Sequence, residues 1–254
     1  MGLMDSTTQQ PHRTHDSSAE EQAREIAAGL EGVRERIAAA AREAGRDPEG
    51  IRLLPVSKTV PAERLRAAVA AGCRELGENK VQEAAGKAAE LADLELRWSV
   101  IGHLQRNKAK DVAAFAHELQ SLDSLRTAEA LERRLQGEGR NLEVMVQVNT
   151  SGEESKSGLA PEQLPELLSE LEQFETLRVT GLMTIAMDTE DEQRVRGCFR
   201  LLRQLRDRAR EDGPGFVGDG ELSMGMSGDL ELAIAEGATC VRAGRAIFGQ
   251  RPRP

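Results

Sequence analysis

The sequence predicts an α/β protein built as a single (β/α)8 barrel of the TIM type, with one extra helix at its N-terminus. Its 254 residues match the usual length of such a barrel. Short apolar runs typical of buried strands alternate eight times with helical periodicity, and short connections favour parallel pairing through right-handed crossovers. The alternative is an open doubly wound sheet, but no GxGxxG turn follows the first strand.

The N-terminal segment divides into a tail and a helix. Residues 1–17 are polar without periodicity, and we expect a disordered tail ahead of the barrel domain, residues 18–254. Ser18 and Glu21 form a capping box that predicts a helix ending at Gly45. Since only about ten residues follow the last strand, too few for a long outer helix, we expect the N-terminal helix to take that place.

Eight apolar runs predict the strands, which lie at 51–57, 73–77, 96–102, 118–122, 142–149, 179–185, 221–225 and 240–244. A helical segment follows each of the first seven strands. Pro61 opens one of these helices. In a later one, Val195, Phe199 and Leu202 share a single apolar stripe.

Composition excludes several classes of partner and site. The net charge is −9 and there is no long Lys/Arg run, so neither nucleic acid nor an anionic membrane is expected as the main partner. No segment resembles a signal peptide or a membrane span, and we expect a cytoplasmic protein. Cys73, Cys198 and Cys240 lie in apolar neighbourhoods and predict buried free thiols. The four histidines predict no metal centre.

Lys58 is the first candidate for chemistry because it directly follows the first predicted strand. Barrel enzymes carry their chemistry at the carboxyl ends of the strands. A lysine that is partly desolvated there and close to another cation acts as a Schiff-base nucleophile. The alternative is a solvated turn lysine, which is commoner when Lys58 is considered alone.

The loops after strands seven and eight are a recurring phosphate site in barrels. Here they are residues 223–229 and 242–249, which offer small residues, hydroxyl groups and backbone N–H groups that approach a ligand closely. For either loop alone, simple turns are the better explanation of the glycines. The candidate cofactor contacts in these loops are Ser223, Met224, Gly225, Ser227 and Gly244.

Arg242 lies within the last predicted strand, so its burial requires a partner. A pyridine nitrogen would suit it, because a guanidinium gives up no proton; a carboxylate is an equally good alternative. Further polar residues follow strands two, three and five on the same rim. Asn79 is a candidate cofactor contact, and His103 is a candidate acid or base or a structural histidine. Asn149 and Lys156 lie in the loop 149–158, which is either a solvated charged loop or a functional lid.

Seven motifs together resemble the pyridoxal phosphate homeostasis protein family from about residue 25 to 251: PVSKTVP, LGENKVQE, IGHLQRNKAK, VNTSGEESKSGL, GLMTIA, LSMGMSGDLELAI and VRAGRAIFG. The resemblance implies a fold like the N-terminal barrel of alanine racemase and pyridoxal 5′-phosphate (PLP) as cofactor. It also implies a role in vitamin B6 and amino-acid homeostasis. By position in the motifs, Lys58 would form the Schiff base and Arg242 would face the pyridine nitrogen. The implied phosphate neighbours are Ser223, Ser227, Gly244 and Arg245.

The chain departs from the family pattern at four positions. Val60 stands where a second lysine is frequent, Lys80 where an aromatic residue is frequent, and Ser99 where histidine is frequent. Arg245 replaces a threonine or serine, which removes a hydroxyl contact to the phosphate but keeps the backbone N–H and adds a guanidinium. The loss at position 60 bears on any role of a second lysine in cofactor transfer.

Three functions are weighed. The first is a PLP carrier without turnover and with no catalytic residue assigned, whose partners are PLP and PLP-dependent apoenzymes that receive it. The second is a PLP-dependent amino-acid racemase of fold type III, and the third is a barrel that binds another phosphate without covalent chemistry. In alanine racemases, which this chain resembles, the partner base is a tyrosine from a second domain, and this chain contains no tyrosine. We therefore expect a carrier, and a monomer.

Overall fold

The computed structural model describes residues 14–153, 156–213 and 215–249. Its eight strands are all parallel and form one sheet in the order β1-β8-β7-β6-β5-β4-β3-β2. The strands are β1 (Arg52–Pro55), β2 (Glu75–Glu78), β3 (Arg97–Val100), β4 (Glu118–Leu122), β5 (Leu142–Gln147), β6 (Leu177–Met183), β7 (Glu221–Met226) and β8 (Cys240–Ala243). A parallel bridge between Val56 and Gly77 joins β1 to β2, so the sheet closes into the predicted barrel.

The helices follow the strands as predicted, and short 3-10 turns precede two of them. They are α1 (Thr14–Glu43), α2 (Ala62–Ala70), α3 (Val81–Glu90), α4 (Ala109–Phe115), α5 (Leu125–Glu138), α6 (Leu164–Leu171), α7 (Glu192–Asp212), α8 (Leu230–Ala235) and α9 (Arg245–Phe248). The first helix begins before Ser18, which therefore lies inside it and not at its cap, because no proline or glycine interrupts residues 14–18. Residues 1–13 of the expected tail lie outside the described residues.

Helix α1 occupies the place expected for an eighth outer helix, where it contacts α2, α8 and α9. Its apolar stripe, including Ile26 and Leu30, is buried. At Gly29 the contact is so close that a Cβ would lie 2.7 Å from the carbonyl oxygen of Ile247 in α9. The N-terminal helix and the end of the barrel are thus packed backbone to backbone.

Side-chain alternation defines the barrel interior. Arg52, at the start of β1, reaches across the interior to Glu118 and Glu221. Leu54 and Val56 share its inward side, and the same alternation leads to the mouth formed by the carboxyl ends of the strands. All eight strands end at this mouth because they are parallel.

The three cysteines are free and buried, as the sequence predicts. Among the residues that the structure describes, no group of three or more His, Cys, Asp and Glu side chains could hold a metal ion. No helix in this part of the chain has the length and apolar character needed to cross a membrane.

Candidate cofactor site

Lys58 lies in the turn that follows β1 at the barrel mouth, where it is half-buried. The backbone before it is fixed, because the Ser57 N–H donates to the Gly77 carbonyl at 2.9 Å. The residue after it, Thr59, has a φ of 65°. This left-handed conformation is rare for a β-branched residue and needs support from its surroundings.

That support comes from α3, which the sequence did not indicate. The Lys87 ammonium donates to the Ser57 carbonyl at 2.8 Å and to Glu83 Oε1 at 2.6 Å. Glu83 Oε1 also accepts the Thr59 N–H at 2.6 Å. A third bond, at 2.6 Å, joins Lys87 to Glu78. The turn is therefore held from both sides.

The two carboxyl groups of this cluster differ in their environment. Burial raises the pKa of Glu78, which is fully enclosed. Burial also acts to raise the pKa of Glu83, but hydrogen bonds from Lys87 and from the Thr59 N–H outweigh it, so that pKa lies below its ordinary value. The i,i+4 spacing of Glu83 and Lys87 was readable from the sequence; their contact with β1 was not.

Arg242 lies inside the barrel near the mouth and is only 4% exposed. Its Nη1 donates to Ser223 Oγ at 2.6 Å and its Nη2 donates to the Thr184 carbonyl at 2.8 Å. Both acceptors are neutral, and within the described part of the chain no carboxylate forms a salt bridge with it. Burial lowers the pKa of the guanidinium, but a guanidinium is not deprotonated in proteins, so Arg242 stays charged.

A column of polar side chains continues from Arg242 down the barrel. The Ser223 hydroxyl donates to Gln120 Oε1 at 2.6 Å, and Gln120 Nε2 donates to Glu118 Oε2 at 2.8 Å. Glu118 accepts from Arg52 at 2.7 Å. Ser223 is fully buried and its hydroxyl is already used as donor and acceptor. The structure thus places Ser223 beneath Arg242, whereas the sequence indicated a phosphate contact.

The loop after β7 is shaped by its own side chains and by α1. Gly225 has a φ of 89°, which glycine adopts without strain. Asp229 Oδ1 accepts the Met226 N–H at 2.6 Å, and burial raises the pKa of Asp229. Arg36 of α1 donates to the Ser227 carbonyl at 3.0 Å. Met224, predicted as a cofactor contact, packs in the hydrophobic core.

The loop after β8 leads directly into α9. A Cβ at Gly244 would lie 2.9 Å from the Val56 carbonyl oxygen, so this glycine permits a close approach of β8 to β1. The first turn of α9, at Arg245, has N–H groups without acceptors in the helix itself. The Arg245 side chain is exposed.

The remaining rim residues are placed as follows. Asn79 Oδ1 is buried and has no hydrogen-bond partner among the described residues. His103 Nδ1 lies 3.1 Å from Asp123 Oδ2, and this histidine is about half exposed. Asn149 organises its own loop by donating to the carbonyls of Glu153 and Lys156.

These groups form a chemically defined set. A lysine at the mouth suits an aldehyde, and a buried guanidinium with neutral partners suits an acceptor on an aromatic ring. Backbone N–H groups in the loops after β7 and β8 suit a phosphate. The buried Asn79 Oδ1, which has no hydrogen-bond partner among the described residues, suits a hydrogen-bond donor on the ligand. The residues present therefore fit a ligand that combines an aldehyde, a heteroaromatic ring and a phosphate.

Comparisons with known proteins give the same fold and a family. Residues 28–252 match the family described as alanine racemase, N-terminal domain. The pyridoxal phosphate homeostasis protein of Pseudomonas aeruginosa is 47% identical over 226 residues, covering 89% of this chain and 96% of that protein.

Two solved structures extend the comparison. PipY of Synechococcus elongatus, solved with PLP bound, is 36% identical with a TM-score of 0.78, and the match covers 88% of this chain and all of that one. The alanine racemase of Streptomyces coelicolor shares the fold at 21% identity and a TM-score of 0.69, over 89% of this chain and 58% of that one. The barrel, its mouth and these relatives together show that the chain belongs to the pyridoxal phosphate homeostasis protein family.

Proposed function

We propose that this protein binds PLP at the barrel mouth and holds it as a Schiff base on Lys58. The observation that carries the proposal is the position of Lys58, directly after β1 in a turn fixed on both sides. The PLP bound to PipY supports the choice of ligand. In the covalent step, the neutral Lys58 amine attacks the aldehyde carbon, a C=N bond replaces C=O, and water leaves.

The other residues have distinct proposed roles. Arg242 faces the pyridine nitrogen and keeps it unprotonated, because the guanidinium donates a hydrogen bond but yields no proton. That weakens the ring as an electron sink. The N–H and hydroxyl groups of Ser227 and the N–H groups of Gly244 and Arg245 contact the phosphate, and Asn79 accepts a hydrogen bond from the ligand.

Three predicted contacts take other roles in this proposal. We assign Ser223 to the support of Arg242, because both functions of its hydroxyl are used inside the barrel. Met224 contributes packing, because its side chain is buried in the hydrophobic core. Gly225 contributes the left-handed turn from which the loop continues.

We further propose that the protein carries PLP in the cytoplasm as a monomer and delivers it to PLP-dependent apoenzymes without catalytic turnover. Arg242 supports this view, since turnover at the amino-acid α-carbon benefits from a protonated ring nitrogen. The lack of any tyrosine in the sequence supports it too, because racemisation needs a proton-transfer group on each face of the ring. His103 also lies on the rim, and the assignment would be wrong if His103 served as one of these proton-transfer groups.

One experiment tests the covalent claim. Apo-protein is mixed with PLP, reduced with borohydride and digested, and the modified lysine is identified by mass spectrometry. Lys58 is expected to carry the label, and Lys58→Ala to remove both the label and the absorbance band. Lys110→Ala, on the exposed side of α4, is the matched control. If Lys58→Ala binds PLP as tightly as the wild type and shows the same absorbance band, the Schiff-base proposal is overturned. If the protein racemises amino acids and this activity depends on Lys58, the proposal of carriage without turnover is overturned.

A further inference from the structure

We propose that Glu83 and Lys87 of α3 form a clamp that positions Lys58 by holding the peptide units on either side of it. The inference rests on the proposed cofactor role of Lys58. Neither residue is expected to touch the cofactor, so both are positioning residues.

The geometry of the clamp is reciprocal. On the N-terminal side of Lys58, the Lys87 ammonium donates a hydrogen bond to the Ser57 carbonyl at 2.8 Å. On its C-terminal side, Glu83 accepts a hydrogen bond from the Thr59 N–H at 2.6 Å. Lys87 also donates to Glu83 at 2.6 Å, which joins the two side chains. A shift of either peptide unit therefore breaks a charge-assisted hydrogen bond.

The clamp lies outside the strands, behind the site. Ser57 is on the opposite side of β1 from the inward-facing Leu54 and Val56, and its hydroxyl donates to Glu78 at 2.6 Å. Glu78 in turn is bonded to Lys87. The clamp thus acts on the backbone from the helix layer, on the side of the chain that faces away from the barrel interior.

Lys87 is fully engaged in this role. Its ammonium has three hydrogens, and it has three acceptors: the Ser57 carbonyl, Glu78 and Glu83. The residue is 7% exposed. Lys87 is therefore a fixed anchor and not a second amine that accepts the cofactor.

The backbone conformation of Thr59 makes the effect of the clamp measurable. Its φ of 65° is unfavourable for a β-branched residue and favourable for asparagine. Without the hydrogen bond that its N–H donates to Glu83, Thr59 is expected to relax to a negative φ, which would rotate the peptide that carries Lys58. The side chain of Thr59 is exposed, so an exchange for asparagine disturbs no packing.

The test is a double-mutant comparison between Glu83→Ala and Thr59→Asn. Glu83→Ala should weaken PLP binding about tenfold, the effect of losing one charge-assisted hydrogen bond. It should also speed hydrogen exchange of the Thr59 amide in the apo-protein. In the Thr59→Asn background the same change should weaken binding much less, because asparagine keeps the left-handed turn unaided. Glu90→Ala, an exposed carboxylate on the same helix, should change neither quantity.

The outcomes separate the clamp from the proposed function. If Glu83→Ala weakens PLP binding equally in both backgrounds, Glu83 acts only through the docking of its helix. If Glu83→Ala leaves the hydrogen exchange of the Thr59 amide unchanged, Glu83 does not hold that peptide unit. Either result overturns the clamp. If the wild-type protein forms no borohydride-fixed adduct on Lys58, the proposed function fails. The exchange measurement on apo-protein still decides the clamp, with circular dichroism confirming that each variant is folded.

Discussion

Arg242 Nη1 lies 2.6 Å from Ser223 Oγ, and this contact orients the guanidinium from inside the barrel. Because the serine hydroxyl also donates to Gln120, it has no freedom to turn toward a ligand at the mouth. Arg242 is therefore preorganised by the protein. Ser223 thus supports Arg242 and does not itself turn toward the mouth, which leads to the first prediction.

Ser223→Ala should lower the free energy of unfolding by about 1–3 kcal/mol, since it removes the acceptor of a buried charged donor. PLP binding should weaken as well, because Arg242 loses its orientation. Ser227→Ala should weaken PLP binding without a comparable loss of stability, since Ser227 is only partly buried. Urea unfolding and PLP titration measure the two effects. Equal stability losses in the two variants would contradict the placement of Ser223.

Gly102→Ala should damage both the fold and the site. An added Cβ would lie 2.2 Å from the Asn79 carbonyl oxygen, so the backbone after β2 must move and carry Asn79 with it. Gly32→Ala is the control, because a Cβ there meets nothing within 4 Å and alanine favours helix by about 1 kcal/mol. Thermal unfolding should show a loss for the first variant and a gain for the second. A neutral result at Gly102 would contradict the close contact with Asn79.

Arg245→Thr should reduce the salt dependence of PLP association. The Arg245 side chain is exposed beside the proposed phosphate position, so its attraction acts through solvent and is screened by salt. Stopped-flow association rates at several ionic strengths should therefore fall less steeply for the variant. Arg126→Thr, on the distant helix α5, should leave the slope unchanged. A slope that is the same for Arg245→Thr and wild type would exclude Arg245 from the phosphate region.

Stability should decline in alkali because of buried thiols. Burial raises the pKa of Cys240 to about 11, above its ordinary value of 9.0. Between these pH values the unfolded chain releases the proton first, so the free energy of unfolding falls as pH rises from about 9 to about 11. Cys240→Ala should show a shallower decline over that window in urea unfolding. A steeper decline in the variant would contradict the assignment.

The sequence indicated the positions that depend on local pattern. Lys58 and Arg242 were recognisable because strand periodicity identifies where each strand ends, and parallel strands end at one mouth. Burial of Cys240 followed from its apolar neighbours. The predicted boundaries of β4 agree with the structure. Four strands, β1, β3, β5 and β8, are shorter than predicted, β7 is one residue longer, and β2 and β6 are shifted along the chain. Periodicity does not show where pairing starts and stops.

The remaining features depend on tertiary contacts. Ser223 lies in a loop-like motif, but the inward alternation of β7 places its hydroxyl on Gln120 of β4. Lys87 has an unremarkable helical position, and only the tertiary placement of α3 brings it to the Ser57 carbonyl in the turn after β1. Ser99, a departure from the family pattern, donates to the buried Glu118. No spacing rule in one sequence connects such pairs.

The pairing of β1 with β8 also has a consequence for synthesis of the protein. Lys58 leaves the ribosome 184 residues before Arg242 (242 − 58). The mouth cannot be assembled before both strands are available, and contacts so distant in sequence form slowly. A growing polypeptide thus presents only an ordinary amine to a reactive aldehyde, and the proposed capture of PLP would begin with the finished barrel.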